Sequence, residues 1–243
     1  MKNREEILKS IRQVTEQYPY FGYRRVYAIL KHRYKLSAHR NKVYQLMKDN
    51  NLLLPPTRSQ KKMFKGVPFS LNVEANKSNT LWGIDMTYIW CGQDSWCYFH
   101  GVIDHYDKTL LGYNFSRSCK AIGGVMALAE AAAKRPVDSL ELRSDNGCHY
   151  GARIFRDEIR RLGINQTRTM VNTPKGNAVI ERFFKSLKQE CVWQHQFENF
   201  EQAKQAVDEW VRFYNETRPH QSLNYATPAA FYESEVESVQ NLA

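Results

Sequence analysis

The sequence predicts two folded parts, a small all-α unit followed by a mixed α/β sheet with flanking helices. Apolar residues recur at helical spacing near the N-terminus, whereas aromatic and β-branched runs typical of strands begin only at Leu81. The charge divides in the same way, because residues 1–65 hold 16 Lys or Arg against 4 Asp or Glu, and residues 66–243 hold 19 against 21. The predicted divisions are a helical domain at 1–53, a basic Pro-containing linker at 54–75, a sheet domain at 76–195 and a helical extension at 196–243.

Three helices are predicted in the basic part. Their ranges are 4–17, about 23–33 and about 38–49. Ser37 is the expected N-cap of the third helix, and Arg40 and Lys42 lie on its outer side. This arrangement is typical of a helix-turn-helix unit whose last helix enters the major groove of DNA. A small helical bundle with a solvated basic face fits the same pattern.

The sheet domain is predicted to begin with three antiparallel strands and then to alternate helices with strands, which is the pattern of a mixed sheet. The predicted strands are 81–90, 96–103, 109–115, 140–143 and 164–168. The predicted helices are 121–134, 153–162, 178–191 and 200–214.

Composition narrows the possible functions. The net charge is +10, and a concentrated positive segment attracts polyanions because phosphate contacts release counterions, so nucleic acid is the favoured partner. No apolar run approaches about eighteen residues and no signal-peptide core is present, so we expect a cytoplasmic protein without a membrane span. The five cysteines form no CxxC pair, which argues against a zinc ribbon or a disulfide framework, and we expect reduced thiols.

Three carboxylates lie at positions where an acid requires a basic group or a metal ion as a partner. Asp85 lies within an apolar strand, Asp145 follows the end of a strand, and Glu181 shares one helix face with Lys185 and Lys188. Together, such hard oxygen ligands would bind two Mg²⁺ or Mn²⁺ ions. Taken singly, each acid has a structural alternative, which for Glu181 is a surface salt bridge to Lys185.

Two other residues near these acids are interpreted as structural. Asp104 falls at the end of a predicted strand. His149 follows Asp145 in a loop, and a metal-bound water needs no separate general base.

The spacing of the acids carries a family resemblance. Thirty-five residues separate Asp145 from Glu181, and Lys188 follows Glu181 by seven. This resembles the Asp, Asp, thirty-five, Glu signature of retroviral-integrase-like transposases. Three later segments are similar to further motifs of that family, namely 144–150, 177–190 and 214–228. Near the N-terminus, residues 21–27 are similar to the auxiliary helix-turn-helix of OrfB-type insertion-sequence transposases.

The resemblance implies an RNase H-like integrase catalytic core at 76–195, in which Asp85, Asp145 and Glu181 form the catalytic and metal-binding triad for two Mg²⁺ or Mn²⁺ ions. It implies a DNA transposase that nicks mobile-element ends and then performs strand transfer with the freed 3′-hydroxyl. The expected partners are double-stranded DNA, further copies of the chain in a homo-oligomeric synaptic complex, and an upstream-frame OrfA-type protein as fusion or in trans. The expected location is the bacterial nucleoid. The expected DNA contacts are Arg24, Arg25, Arg40, Lys42, Asn177, Lys185 and Lys188.

Two other functions remain open from the residues. A metal-dependent nuclease of the same fold would stop at nicking, without strand transfer. A domesticated DNA-binding protein would retain the core only as a scaffold, and intact acids at all three positions argue against it.

Overall fold

The computed structural model describes residues 4–55, 75–168 and 177–240, which fold into two compact units. The first unit contains 4–55 together with 218–227, and the second contains the other described residues. Most of the predicted linker, residues 56–74, lies outside the described residues. The predicted domain boundaries therefore stay predictions.

The first unit contains three helices, α1 (Arg4–Gln17), α2 (Tyr23–His32) and α3 (Arg40–Asp49). Their apolar stripes are buried, as the period of the sequence predicts. The buried side chains include Ile7, Ile11, Val14, Val26, Ile29, Leu30, Val43, Leu46 and Met47. The predicted N-cap Ser37 is wrong, because α3 begins two residues later and the Nδ1 atom of His39 accepts the Asn41 N–H at 3.4 Å.

The second unit is built on a five-stranded mixed sheet with the order β3-β2-β1-β4-β5. The strands are β1 (Leu81–Trp90), β2 (Trp96–Asp104), β3 (Leu110–Ser116), β4 (Glu141–Ser144) and β5 (Asn165–Arg168). β1, β2 and β3 pair antiparallel, whereas β4 runs parallel to both β1 and β5. This is the mixed sheet that the sequence predicts, with each strand within one residue of its predicted ends.

Helices cover both faces of the sheet. They are α4 (Ala121–Lys134), α5 (Cys148–Gly151), α6 (Arg153–Leu162), α7 (Ala178–Glu190), α8 (Phe200–Glu216) and α9 (Pro228–Gln240). One core joins the sheet to α7 and α8 and includes Ile89, Phe99, Phe183, Leu187, Val207 and Trp210. The other joins it to α4 and α6 and includes Trp82, Ile84, Val102, Leu128 and Phe155. The sequence predicts all of these helices except α5 and α9.

Helix α4 and the sheet approach each other closely at Gly112 of β3. A Cβ atom at this position would lie 2.2 Å from the carbonyl oxygen of Ala127 in α4, so the absence of a side chain lets the helix pack directly on the strand. Among the helices of the described ranges, none combines the length and the apolar character that crossing a bilayer requires.

Candidate active site

The sheet topology brings Asp85 and Asp145 to the same edge. β1 pairs with β4 only through Leu81–Gly83 against Glu141–Arg143, and then continues beside β2 alone as far as Trp90. Asp85 lies just past this short parallel pairing, and Asp145 directly follows β4. Because carboxyl ends of parallel strands meet at one edge of a sheet, the two aspartates are neighbours there.

Each aspartate is fixed by a local hydrogen bond. The Oδ1 atom of Asp85 accepts the Met86 N–H at 2.7 Å, and the Oδ1 atom of Asp145 accepts the Gly147 N–H at 2.8 Å. Alternation along β1 places Asp85 on the same face as Ile89, which packs in the core beneath α7 and α8. Asp85 therefore faces the helix that carries Glu181.

The apolar face of α7 sets the direction of Glu181. Its buried residues include Ile180, Phe183, Phe184 and Leu187. Glu181 and Lys185 are exposed, Lys188 is half-buried, and Glu190 is buried on the opposite side, as the helical period predicts. Within the described part of the chain no ion pair joins Glu181 to Lys185, so the alternative of a surface salt bridge is not realised.

The electrostatic environment of Asp85 includes the other two acids. Burial is the largest cause that raises the pKa of Asp85 to about 7, and the charges of Asp145 and Glu181 contribute to the same rise, against the lowering effect of the Met86 N–H. Nearby negative charges disfavour ionisation of a carboxyl group in this way. The pocket thus concentrates negative charge around a partly desolvated carboxylate.

The donor set suits a divalent cation of the Mg²⁺ type, because carboxylate oxygens are its preferred protein ligands and a cation would relieve the repulsion. Among the described residues, however, no group of three or more His, Cys, Asp or Glu side chains is arranged closely enough to enclose a metal ion. The charges of the three acids therefore influence one another, but within the described ranges the acids do not form a closed coordination sphere. Residues 169–176, which precede α7, lie outside the described ranges.

Asn177 connects β1 to the start of α7. Its Nδ2 atom donates to the carbonyl oxygen of Ile84 at 3.3 Å, and its own carbonyl accepts the Glu181 N–H at 3.1 Å. The residue is only 5% exposed. This burial argues against the predicted DNA contact at Asn177, because the side chain is used inside the fold.

Tyr150 is a pocket residue that the sequence does not distinguish from the rest of its motif. It is buried, and its hydroxyl lies 3.4 Å from the Nδ1 atom of His100. Burial raises its pKa well above the ordinary value, and the charges of Asp85 and Asp145 raise it further. The phenol therefore stays neutral beside the acids.

The interpretation of Asp104 as structural is confirmed by its hydrogen bonds. Its carboxylate accepts the indole N–H of Trp82 at 3.2 Å and three backbone N–H groups. His149 lies near two exposed thiols, with Nε2 3.3 Å from the Sγ atom of Cys119 and Nδ1 3.8 Å from that of Cys148. A structural role for His149 remains a prediction.

The predicted DNA contacts of the helical unit lie on its surface. Arg24, Arg40 and Lys42 are exposed, whereas Arg25 is half-buried. The Nε atom of Arg24 donates to the hydroxyl of its neighbour Tyr23 at 3.2 Å. Exposed cations on α2 and α3 are available to phosphates.

Family models and curated relatives match almost the whole chain. A family model described as an HTH-like domain matches residues 2–60, and two described as integrase core domains match 75–174 and 162–228. The transposase InsD for insertion element IS2A/D/F/H/I/K of Escherichia coli is 26% identical over 239 residues, covering 93% of this chain and 78% of the relative. The transposase InsD for insertion element IS2-9 of Escherichia coli strain K12 is also 26% identical, covering 93% and 76%.

Solved structures share the fold. The intasome of simian T-cell lymphotropic virus, determined by cryo-electron microscopy with PP2A regulatory subunit B56 gamma, matches with a TM-score of 0.57 at 13% identity, covering 92% of this chain and 74% of that one. The catalytic core domain of BIV integrase matches with a TM-score of 0.52 at 18% identity, covering 67% and 99%. The predicted fold class, an RNase H-like sheet preceded by a helix-turn-helix-like domain, is confirmed.

Proposed function

Because the chain belongs to the insertion-sequence transposases with an integrase-like catalytic core, we propose that it nicks DNA at mobile-element ends and joins the freed 3′-hydroxyls to new DNA. The observation that carries this proposal is the topology of the site, because the β1–β4 edge brings Asp85 and Asp145 together and α7 packs on the same face of β1 with Glu181 on its exposed side. The charges of Asp145 and Glu181 both contribute to the raised pKa of Asp85. A pocket in which like charges repel one another favours cation binding and disfavours a purely structural role.

Asp85, Asp145 and Glu181 would hold two Mg²⁺ or Mn²⁺ ions, and ions bound there would supply Lewis-acid activation of the attacking oxygen and stabilisation of the leaving oxygen. The parts of the fold that position these acids differ. The β1–β4 edge holds the two aspartates, whereas the buried face of α7 leaves Glu181 on the exposed side of that helix, from which it would complete the triad. Helix α7 also presents Lys185 and Lys188 beside Glu181, where their ammonium groups would position phosphates of the substrate.

Both steps are substitutions at phosphorus. In nicking, the oxygen of a water attacks a phosphodiester, the bond to the 3′-oxygen breaks, and a 3′-hydroxyl and a 5′-phosphate are released. In joining, that 3′-hydroxyl attacks a phosphodiester of the target, a new bond forms, and the displaced 3′-oxygen takes up a proton. Each step forms one phosphorus–oxygen bond and breaks another, so joining needs no external energy source.

The proposal extends to partners. Arg24, Arg25, Arg40 and Lys42 would contact double-stranded DNA outside the catalytic pocket. Since two element ends must meet, the working form would be a homo-oligomer on the bacterial nucleoid. An upstream-frame OrfA-type protein would act as fusion partner or in trans.

The test is a strand-joining reaction on labelled element-end DNA with a supercoiled plasmid as target, in Mg²⁺, in Mn²⁺ and in chelator. We expect metal-dependent nicks and joined products from the wild-type chain, and loss of both in Glu181→Gln by about 10²-fold or more with DNA binding retained. Glu209→Gln is the matched control, because it removes the same charge from an exposed position on α8 and should leave the reaction unchanged.

The outcomes separate the functions. Nicks without joined products, with the upstream protein present, would favour the nuclease over the transposase. DNA binding without either reaction would favour the scaffold. Full activity in Glu181→Gln would remove this residue from the triad.

A further inference from the structure

Two polar atoms are buried without a hydrogen-bond partner beside the catalytic pocket. They are Nε2 of His105 and Oδ1 of Asn177, and neither has a partner within the described ranges. Both border the same small space above Gly83, since a Cβ atom built on Gly83 would lie 2.6 Å from His105 Nε2 and 2.9 Å from Asn177 Oδ1. A buried polar atom that stays unpaired costs about 1–3 kcal/mol, so two of them facing one space require an explanation.

The chemistry of the two atoms is complementary. The Nδ2 atom of Asn177 already donates to Ile84, so Oδ1 is the acceptor left over. Burial lowers the pKa of His105 to about 3, with smaller contributions from Arg143 and Lys108, so its imidazole is neutral at physiological pH. A neutral imidazole carries one N–H, and placing it on Nε2 supplies the donor that Asn177 lacks.

We propose that His105 is a positioning residue whose Nε2–H donates to Oδ1 of Asn177, directly or through one water, and so fixes the start of α7. This rests on the function proposed above, because α7 matters through Glu181. His105 itself is held in place at its backbone, where its N–H donates to the carbonyl of Leu81 at 2.9 Å.

The contact is placed to control the distance between two acids. Asn177 bonds to Ile84, one residue before Asp85, and to the backbone N–H of Glu181. Rotation of the Asn177 side chain would therefore break the link between the first turn of α7 and β1. Outer partners that orient metal ligands typically change metal affinity by about 10–100-fold when they are removed.

The same geometry explains why residue 83 is a glycine. Its backbone does not adopt a left-handed conformation, so glycine is not needed for a turn. A methyl group would instead fill the space in which the imidazole and the amide meet. Glycine at this position leaves room for the contact.

The first test uses His105→Leu and His105→Gln. Leucine fills a similar volume without a donor, whereas the amide of glutamine can place an N–H near the position of Nε2. We expect His105→Leu to raise the Mn²⁺ concentration that half-activates nicking by about tenfold or more, with DNA affinity unchanged, and His105→Gln to recover most of this loss. Equal metal requirements in wild type and His105→Leu, or no recovery with glutamine, would overturn the proposal.

The second test needs no catalytic activity. Histidine-selective ¹⁵N labelling of the full chain without metal reports which imidazole nitrogen of His105 carries the proton. The proposal requires Nε2–H in the wild type and, in samples labelled with ¹⁵N at asparagine, a displaced Asn177 side-chain amide resonance in His105→Leu. An Nδ1–H tautomer of His105 would overturn it. If the wild-type chain neither nicks nor joins DNA, the proposed function fails and the tautomer still decides whether the contact exists.

Discussion

Replacing Asp85 by asparagine should stabilise the catalytic unit in the absence of metal. Asparagine keeps the shape of the side chain and its acceptor for the Met86 N–H, but it removes a charge that is desolvated and repelled by Asp145 and Glu181. The change therefore resembles permanent protonation of Asp85. Loss of the proposed metal ligand and gain of stability should occur together, which distinguishes a functional acid from a structural one.

The magnitude follows from the pKa. The pKa of Asp85 is about 7 in the folded chain, against an ordinary value of 3.8. At about 1.36 kcal/mol for each pH unit, the free energy of unfolding of Asp85→Asn should exceed that of the wild type by at most about 4 kcal/mol. Between the two values the folded state binds the proton more tightly than the unfolded state. Wild-type stability should therefore fall as the pH rises from about 4 to about 7, and the advantage of Asp85→Asn should grow from near zero to its full value over that interval.

The assay is urea unfolding followed by tryptophan fluorescence in chelator, at several pH values between about 4.5 and 8. All five tryptophans, at positions 82, 90, 96, 193 and 210, belong to the catalytic unit, so the signal reports that unit alone. Asp138→Asn, at an exposed position, is the matched control and should change stability by less than about 0.5 kcal/mol. Mg²⁺ should reduce the difference in free energy of unfolding between Asp85→Asn and the wild type, because it stabilises only the wild type. A difference that does not depend on pH, or a destabilised Asp85→Asn, would refute the reasoning.

Three further substitutions test the fold and the DNA-binding surface. Arg135→Met breaks the 2.6 Å ion pair with buried Asp107 and should lower the free energy of unfolding by about 3–5 kcal/mol in the same urea assay, whereas a loss below about 1 kcal/mol would contradict a buried pair. Gly112→Ala should cost about 1–3 kcal/mol, because its Cβ would meet the Ala127 carbonyl at 2.2 Å, and an unchanged unfolding midpoint would exclude that close packing. Lys42→Ala should reduce the slope of log affinity against log salt by about 0.9, measured by fluorescence anisotropy on duplex DNA, and an identical slope would remove Lys42 from the interface.

Helices whose apolar residues recur at helical spacing were predictable from the sequence. The helices at 4–17, 121–134 and 153–162 have the predicted ends, and in the first and the last of them a buried stripe alternates with a polar face. The short α5 carries too few residues for any period to appear, and the N-cap of α3 is a histidine, a residue type outside the usual capping set. Local propensity could not identify either one.

Contacts between distant residues were not predictable. Asn177 reaches Ile84 across 93 positions of the sequence, and no local pattern in either segment marks the pair. Because the sequence does not reveal this contact, Asn177, which lies four residues before Glu181 on the same helix face, is interpreted as a DNA contact. The tertiary fold buries it instead, and the same fold brings His105 to the same face of Gly83.

The positions of the three acids, by contrast, follow from features that also build the core. Asp85 cannot turn away from Asp145 by a shift of one residue, because such a slip would move every side chain of β1 to the opposite face and remove Trp82 and Ile84 from the core that they form with α4 and α6. Glu181 cannot rotate away without exposing the buried face of α7. Burial therefore maintains the repulsion in the metal-free chain, and binding a cation relieves it without disturbing either core. This is the physical reason to expect that metal binding and folding of the catalytic unit are coupled.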